Sequence, residues 1–226
     1  MKPFKARCSQ IGSIMTMPRN KSDLISKTTQ SFLETWIKEQ VYNRTKEFSS
    51  KYTEKGKQCE NEGIEFASRM LNIGMIFKNE KRFTNDFITG EPDIILHDEI
   101  IDIKTSWDCF TFPLLDTECP NNNYYWQLQG YMSLTGKQKA RLVYVLVDTP
   151  PHLISDEIRR QSWKMGFIDV PLEFEVEITN KMTYTEIPDK LKYKAFEIAR
   201  NENDINLIYE QVEKCRKYID TVITYK

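Results

Sequence analysis

The sequence predicts a single α/β domain built around a mixed β-sheet. The run RLVYVLVD at residues 141–148 is continuously apolar, which is typical of a strand buried on both faces. Between Pro92 and Thr105, two apolar runs flank a short polar turn at 97–99, and this pattern predicts a β-hairpin. Helical patterns alternate with these strands in the order α-α-β-β-β-α-β-α-β-α-α, which is typical of α/β proteins.

Local signals predict the individual elements on either side of this hairpin. Before it we expect an irregular arm at 1–20, a helix from Ser22 or Asp23 to about Phe48, a helix at about 56–73, and strands at 75–78 and 82–87. After it we expect a polar loop at 113–123, a helix at 124–135 ended by Gly136, a helix at 152–164, a strand at 173–179, and helices at 188–200 and 202–223. One domain over 1–226 is expected, with an arm and helix at 1–54, a core at 55–150, and a C-terminal strand and helices at 151–226.

Composition narrows the class of protein. Hydrophobic residues make up 40% of the 226 residues and aromatics 12%, which indicates a globular chain. The net charge of −1 excludes a histone-like polycation, so any contact with nucleic acid must come from a local basic patch. The five cysteines are odd in number and form no CxxC pair, which argues against a disulfide framework. With no secretion signal and no membrane-length apolar run, a cytoplasmic protein is expected, without membrane contact.

The hairpin carries charged residues at positions where a buried strand favours apolar ones. Side chains alternate along a strand, so Asp102 and Lys104 share one face, and the turn brings Asp93 close to Asp102. Two adjacent carboxylates repel each other unless a cation lies between them, and Mg²⁺ favours such oxygen ligands. Lys104 could orient an attacking water or offset transition-state charge. The alternative is a solvated edge strand with an Asp102–Lys104 salt bridge.

Two further motifs flank the hairpin. Upstream, the apolar stripe of the second helix extends back one turn to Glu60, which places this carboxylate at the head of the buried face. The alternative for Glu60 is an acidic residue that the helix dipole favours at a helix start. Downstream, Gln127 and Tyr131 are four residues apart and share a helical face. The alternative there is an amphipathic helix whose Gln127 faces solvent.

Four motifs in this order resemble those of the PD-(D/E)XK nuclease superfamily. They are KGxxxE at Lys55, Gly56 and Glu60, GxPD at Gly90, Pro92 and Asp93, DIK at Asp102 to Lys104, and QxxxY at Gln127 and Tyr131. The QxxxY motif is similar to that of the branch with RecB-like nuclease domains and YqaJ-type viral exonucleases such as lambda exonuclease. The resemblance implies a restriction-endonuclease-like core, a central mixed β-sheet flanked by α-helices.

The resemblance also implies a metal site. Asp93 would be the central ligand, and Asp102 with the main-chain carbonyl of Ile103 would complete the shell of that metal. Glu60 would hold a second metal, directly or through water. Mg²⁺ is the expected cofactor, and Mn²⁺ is expected to substitute for it. Many relatives carry Glu where this chain has Asp102, and the shorter side chain is expected to alter metal preference.

The remaining motif residues would act on the water and the DNA. By the same resemblance, Lys104 would position and activate the hydrolytic water, and Gln127 and Tyr131 would brace the lysine and the DNA backbone. Arg7 lies in a segment, ARCSQIG, that is similar to the early Arg-x-Ser region of YqaJ-type exonucleases and is a DNA-binding candidate. Two lysines ahead of the Glu60 helix are further candidates, Lys55 and Lys57.

The absence of other motifs narrows the kind of nuclease. Only Cys215 follows the QxxxY helix, so no iron–sulfur cluster is expected. No P-loop is present, which argues against a helicase-linked nuclease. We expect a phage or prophage exodeoxyribonuclease that resects linear duplex ends for recombination, alongside a single-strand annealing or binding protein. The alternatives are a single-strand or structure-specific endonuclease of the RecB-like group, and a non-catalytic DNA-binding protein on a decayed nuclease fold.

A homo-oligomer is the expected assembly. Affinity for DNA comes largely from phosphates neutralised by Lys and Arg, and a near-neutral chain supplies few such contacts. A ring of subunits around the duplex, similar to that of the lambda-type relatives, would keep the protein on its substrate. The arm at 1–20 and the C-terminal helices are the expected contact surfaces.

Overall fold

The computed structural model describes residues 3–46, 50–74 and 76–224. In chain order its elements are β1 (Ala6–Arg7), a 3₁₀ turn (Cys8–Gln10), α1 (Ile11–Ile14), α2 (Lys27–Tyr42), α3 (Lys51–Gln58), α4 (Glu60–Leu71), β2 (Phe83–Thr84), β3 (Ile88–Gly90), β4 (Ile94–Ile95), β5 (Glu99–Thr105), α5 (Asn122–Thr135), β6 (Lys139–Val145), α6 (Pro151–Met165), α7 (Leu172–Met182), a 3₁₀ turn (Asp189–Leu191), β7 (Tyr193–Ala199) and α8 (Glu202–Thr224). The α/β class is therefore confirmed. No helix in the described part of the chain is long and apolar enough to cross a membrane.

A four-stranded mixed sheet with the order β4-β5-β6-β7 lies at the centre. β5 and β6 are parallel, and the two outer pairs are antiparallel. Helices α2, α5 and α8 cover one face, where Leu142 of β6 and Leu128 of α5 belong to the same apolar cluster. Helix α4 covers the other face, where Ala67 packs in a cluster with Val143 and Val145. The central mixed sheet flanked by helices is thus confirmed, and a second, three-stranded sheet with the order β1-β3-β2 lies beside it.

Close packing of α4 on the sheet depends on a glycine. A Cβ atom added at Gly63 would lie 3.3 Å from Val145 Cγ2 and 3.4 Å from Thr105 Oγ1, which is tight for a side-chain contact. The absence of a side chain lets the start of α4 approach the ends of β5 and β6. This approach carries Glu60, the first residue of α4, toward the charged residues of the hairpin.

The predicted strand at 173–179 is wrong, because α7 occupies this segment. The acidic and apolar residues of EFEVEIT alternate strictly, which indicated a strand. In the structure, Ile178 and Met182 are buried and Phe174 packs against them, at a spacing of four residues. The helical face was therefore also present in the sequence, and packing beneath α6 selects it over the alternating pattern.

The predicted helix at 188–200 is also wrong. A 3₁₀ turn is followed there by β7, in which Phe196 and Ile198 are buried and Glu197 and Ala199 are exposed. β7 pairs antiparallel with β6 along its whole length. A strand stabilised by a partner about 50 residues away in the chain leaves only a weak local signal.

The N-terminal half differs from expectation mainly in element boundaries. The first helix begins after Ser26, whose hydroxyl accepts a hydrogen bond from the Thr29 N–H, and ends at Asn43 in the left-handed conformation with φ 48°. It therefore stops before the expected end at Phe48, which lies outside the described residues. The second helix is divided at Cys59 into α3 and α4.

The strands expected ahead of the hairpin are shorter than expected or missing. Residues 76–78 are not a strand, and Met75 lies outside the described residues. The strand at 82–87 is reduced to β2, and β3 was not predicted.

Candidate active site

The hairpin brings Asp93 and Asp102 together. The β4–β5 register pairs Ile94 with Ile101, so Asp93 lies opposite Asp102 at the end of the short strand. Asp93 Oδ2 accepts a hydrogen bond of 2.9 Å from the Ile103 N–H. Burial, and then the negative charge of Asp102, raise the pKa of Asp93 to about 7. Each of two adjacent carboxylates disfavours ionisation of the other, so a cation bound between them would be stabilising.

Lys104 lies between this pair and an aromatic ring. Its Nζ is 2.7 Å from Asp102 Oδ2 and 4.7 Å from the centre of the Tyr124 ring. Burial alone would lower the pKa of Lys104, but the charges of Asp102 and Asp93 outweigh it and raise the pKa. The Lys104 side chain is 22% exposed and that of Asp102 is 1% exposed, so this pair is not the solvated edge salt bridge considered from sequence.

Gln127 and Tyr131 support Asp102 from α5. Gln127 Nε2 donates to Asp102 Oδ1 at 3.1 Å and to the Tyr131 hydroxyl at 3.0 Å, and both residues are buried. The solvent-facing alternative for Gln127 is therefore wrong. The other carboxylate oxygen, Asp102 Oδ2, is buried and receives no aligned hydrogen bond from any described residue, although the Lys104 ammonium lies beside it.

Gly90 of the GxPD motif makes room for this support. A Cβ atom at Gly90 would lie 2.6 Å from both Tyr131 Cε1 and Cys8 Sγ, a separation that real side chains do not tolerate. The GxPD motif contains Gly90, but the sequence alone does not indicate this role. The glycine allows the Tyr131 ring to pack against β3 and hold Gln127 in place.

Glu60 lies at the edge of the same site. It begins α4, its side chain is 37% exposed, and its Oε2 is 2.6 Å from Lys78 Nζ. Across the described residues, no three His, Cys, Asp or Glu side chains lie close enough together to hold a metal ion, so Glu60 stands apart from the two aspartates. Lys78 was not predicted from the sequence as a site residue. It lies in a segment that has no regular structure and matches no recognisable motif.

These residues open onto a pocket of about 590 Å³. Glu60, Asp93, Ile103 and Lys104 line it, and so does the exposed Lys57, one of the DNA-binding candidates. The rest of the wall includes Tyr52, Trp107, Thr111, Asn121 and Tyr124. Charged and aromatic side chains therefore share one concave surface.

Two DNA-binding candidates lie elsewhere. Lys55 is fully buried, its Nζ donates to the Trp107 carbonyl at 2.9 Å, and burial lowers its pKa to about 8. The structure thus contradicts a surface contact between Lys55 and DNA. Arg7 is exposed, but it lines a separate cavity of about 410 Å³ between the arm and α2, together with Lys5 and Arg44.

Comparison with known proteins gives matches among solved structures. No family model matches the chain, and no curated protein matches it. The crystal structure of a phage related exonuclease from Haemophilus somnus 129PT is similar with a TM-score of 0.79 and 27% identity, over 98% of this chain and 96% of that one. The resemblance to the PD-(D/E)XK exonucleases is confirmed.

Two further structures share this exonuclease fold. An alkaline exonuclease from Laribacter hongkongensis, LHK-Exo, gives a TM-score of 0.65 at 17% identity, over 98% of this chain and 90% of that one. LHK-Exo in complex with dAMP gives 0.63 at 19% identity with the same coverage. In this chain, Asp93 and Lys104 line the pocket, and Gln127 holds Asp102 behind them and is itself hydrogen-bonded to Tyr131.

Proposed function

We propose that this chain is a divalent-metal-dependent exonuclease that hydrolyses linear double-stranded DNA from its ends. The observation that carries the proposal is the pair Asp93 and Asp102 with the Lys104 ammonium 2.7 Å from Asp102. The similarity to a structure described as a phage related exonuclease, over nearly the whole of both chains, supports this function. We assign its activity to end resection in phage-type recombination, upstream of a single-strand annealing or binding protein.

The residues present fit a hard divalent cation. Asp102 Oδ2 is a buried anionic oxygen without an aligned hydrogen bond from the described residues. The ionised form of Asp93 is disfavoured by its surroundings, and a cation would relieve this cost. Asp93, Asp102 and the Ile103 carbonyl are oxygen donors of the kind that Mg²⁺ and Mn²⁺ bind. When bound, such an ion supplies Lewis-acid stabilisation of charge on the scissile phosphate.

Glu60 would join the site from its edge. In the structure its carboxylate is neutralised by Lys78 rather than by a shared cation. Glu60 would therefore reach a metal through water, or would exchange Lys78 for a metal ion. Either arrangement keeps a negative charge on the α4 side of the pocket.

Lys104 acts as a fixed positive charge in this proposal. Because Asp102 and Asp93 raise its pKa, Lys104 keeps its proton at neutral pH and donates hydrogen bonds. It can orient a water and offset negative charge that develops on the phosphate. Gln127 holds Asp102 by Oδ1 and leaves Oδ2 for other partners, and Tyr131 holds Gln127.

DNA would enter through the pocket that Glu60, Asp93 and Lys104 line. Lys57 lies on its wall and is positioned to contact a phosphate. Arg7, with Lys5 and Arg44 near it, would contact DNA at a second place on the surface. Since the net charge is −1, we also propose a homo-oligomer that retains the duplex by enclosing it.

The decisive experiment compares DNA forms. The protein is incubated with Mg²⁺ or Mn²⁺ and with end-labelled linear duplex, covalently closed circles and single strands. We expect loss of linear duplex and sparing of circles. Efficient cutting of circles would instead show an endonuclease, and no cleavage of any form in either metal would show a non-catalytic binding protein.

Matched variants and sedimentation complete the test. Lys104→Ala should be inactive, and Lys164→Ala, which removes an exposed lysine at the end of α6, should cleave at the normal rate. Sedimentation that shows only a 26.8 kDa monomer, with or without DNA, would contradict the enclosing oligomer.

A further inference from the structure

The outer edge of the central sheet is open along β7. Within the described residues β7 pairs only with β6, and it is the last strand in the sheet order. The Arg200 N–H donates to the Gln138 carbonyl, so in this antiparallel ladder the even-numbered residues bond to β6. The N–H and C=O groups of Ala195 and Glu197 therefore point away from the sheet, and no described residue bonds to them.

One end of this edge already makes strand-like contacts. The fully buried side chain of Gln129 donates from Nε2 to the Ala199 carbonyl at 2.8 Å. Its Oε1 accepts from the Asn201 N–H at 2.9 Å. One residue of a parallel neighbouring strand would make the same pair of bonds, through its own N–H and C=O, to residues two apart. The edge is thus closed at Ala199 and remains open along the preceding residues.

A groove of about 740 Å³ runs beside the open part of the edge. It is bordered by β7 on one side and by the loop at 117–119 and the start of α5 on the other. Among the described residues that line it, Glu118, Glu197 and Glu202 are acidic. Arg200, which is basic, pairs with Glu202, and Glu197 lies 3.6 Å from Arg141, which is outside the groove lining. Glu118 has no ion pair with a described residue. The groove therefore carries a net negative charge.

We propose that the β7 edge binds an extended, basic segment of a partner protein by strand addition. The outward N–H and C=O groups supply the main-chain hydrogen bonds, and the acidic groove selects Lys or Arg side chains. DNA is repelled by this charge. A second copy of the chain, paired edge to edge, would bring the acidic linings of two grooves together, which is unfavourable. The site is separate from the carboxylate pocket, because the two share no lining residue.

A synthetic nine-residue peptide that alternates Lys and Thr is the probe. Its binding to the full chain is measured by fluorescence anisotropy at low salt. Two control peptides differ by one property each: one carries N-methyl groups on alternate amides, and one carries Glu in place of Lys. The first control removes main-chain hydrogen bonds and keeps the charge, and the second reverses the charge and keeps the backbone.

Variants of the protein test the same two contributions. Ala195→Pro removes an outward N–H without removing a bond to β6, a position where an edge strand tolerates proline. Glu197→Lys reverses one charge on the edge. Circular dichroism checks that each variant is folded, and the N-methyl peptide keeps the test valid on the unaltered protein if Ala195→Pro does not fold.

The expected result is saturable binding of the Lys peptide at one site. Binding should weaken about tenfold or more with the N-methyl peptide and with either variant, and should be lost with the Glu peptide. The Lys104→Ala variant should bind the peptide normally. Equal binding of the N-methyl peptide would overturn strand addition. Loss of peptide binding in the Lys104→Ala variant would overturn the separate site, and a dimer that Ala195→Pro dissociates would assign the edge to a second copy.

Discussion

Replacing Asp93 by Asn should make the metal-free protein more stable at alkaline pH. Burial and the charge of Asp102 raise the Asp93 pKa from its ordinary 3.8 to about 7. Holding this carboxylate ionised in the fold therefore costs up to about 4 kcal/mol, at 1.36 kcal/mol for each tenfold change in proton affinity. Asn has nearly the same shape, and its Oδ1 can still accept from the Ile103 N–H. We expect the free energy of unfolding to rise by about 2–4 kcal/mol.

The stability gained by Asp93→Asn should be largest at high pH and should decrease as the pH falls. Above about pH 7, Asp93 is ionised in both the folded and the unfolded chain, and the full cost is present. As the pH falls below 7, the folded wild-type protein takes up a proton that the unfolded chain does not hold. The wild-type protein gains stability in this range, so the advantage of the variant shrinks, and it disappears near pH 4.

Urea unfolding with a chelator at about pH 8 and about pH 5 is the measurement. Asp169→Asn, which neutralises a carboxylate on the exposed loop between α6 and α7, is the control and should change stability by less than about 0.5 kcal/mol. Mg²⁺ should then stabilise the wild-type protein and not the Asp93→Asn variant, because only a ligand that binds the folded state raises its stability. The reasoning would be refuted if Asp93→Asn were no more stable than wild type at pH 8, or if its stability advantage were the same at both pH values.

The other predictions concern activity. Lys104→Ala should lower Mg²⁺-dependent cleavage by about two to four orders of magnitude in single-turnover assays while the thermal unfolding curve stays cooperative; a normal rate would remove Lys104 from the site. Gln127→Met should lower the cleavage rate and destabilise the fold by about 1–3 kcal/mol, because the buried Asp102 Oδ1 loses its donor. An unchanged rate and stability, measured by the same assay and by urea unfolding, would contradict this. Glu60→Gln should lower the rate far more than Glu62→Gln, since Glu60 lines the pocket and Glu62 is exposed; equal effects would show that the position on the helix is irrelevant.

The parts of the site predicted from sequence depend on short-range geometry. Asp102 and Lys104 share a face because side chains alternate along a strand, and the structure pairs them at 2.7 Å. Gln127 and Tyr131 share a face because they are one helical turn apart, and they are hydrogen-bonded. Gly136, with φ 75°, ends α5 as expected. Each of these relations is set within a few residues of chain.

The errors in the fold concern segments whose local pattern allows two structures. Around α7, the alternation of acidic and apolar residues and the four-residue spacing of Phe174, Ile178 and Met182 are both present. The helix is chosen because one apolar stripe packs against α6. In β7, Phe196 and Ile198 are buried in a cluster with residues of β6 and α5, which lie much earlier in the chain. Local periodicity cannot rank such alternatives, since the deciding contacts are tertiary.

Long-range contacts also decide the environment of Glu60. Helical phase places it at the head of the α4 stripe, and the structure keeps it there, on the wall of the pocket. Its partner Lys78 lies 18 residues later, in a segment without regular structure. No spacing rule connects the two, so the ion pair could not be predicted. As a consequence, the negative charge of Glu60 is neutralised by Lys78, whereas Asp102 has Lys104 beside it.

The two motif lysines, Lys55 and Lys104, show why a motif position does not by itself assign a role. Both ammonium groups are held inside the protein, and burial alone would lower the pKa of each. Lys104 lies beside Asp102 and near Asp93, whose charges reverse this effect and keep it protonated. Lys55 has no carboxylate in hydrogen-bonding contact among the described residues, and its ammonium donates instead to the Trp107 carbonyl, with a pKa of about 8. Lys55 therefore anchors the chain just beyond β5, and Lys104 presents its charge to the pocket. The same residue type is bonded to a main-chain carbonyl in one motif and lines the pocket beside a carboxylate in the other, and the difference lies in which carboxylates the fold brings near.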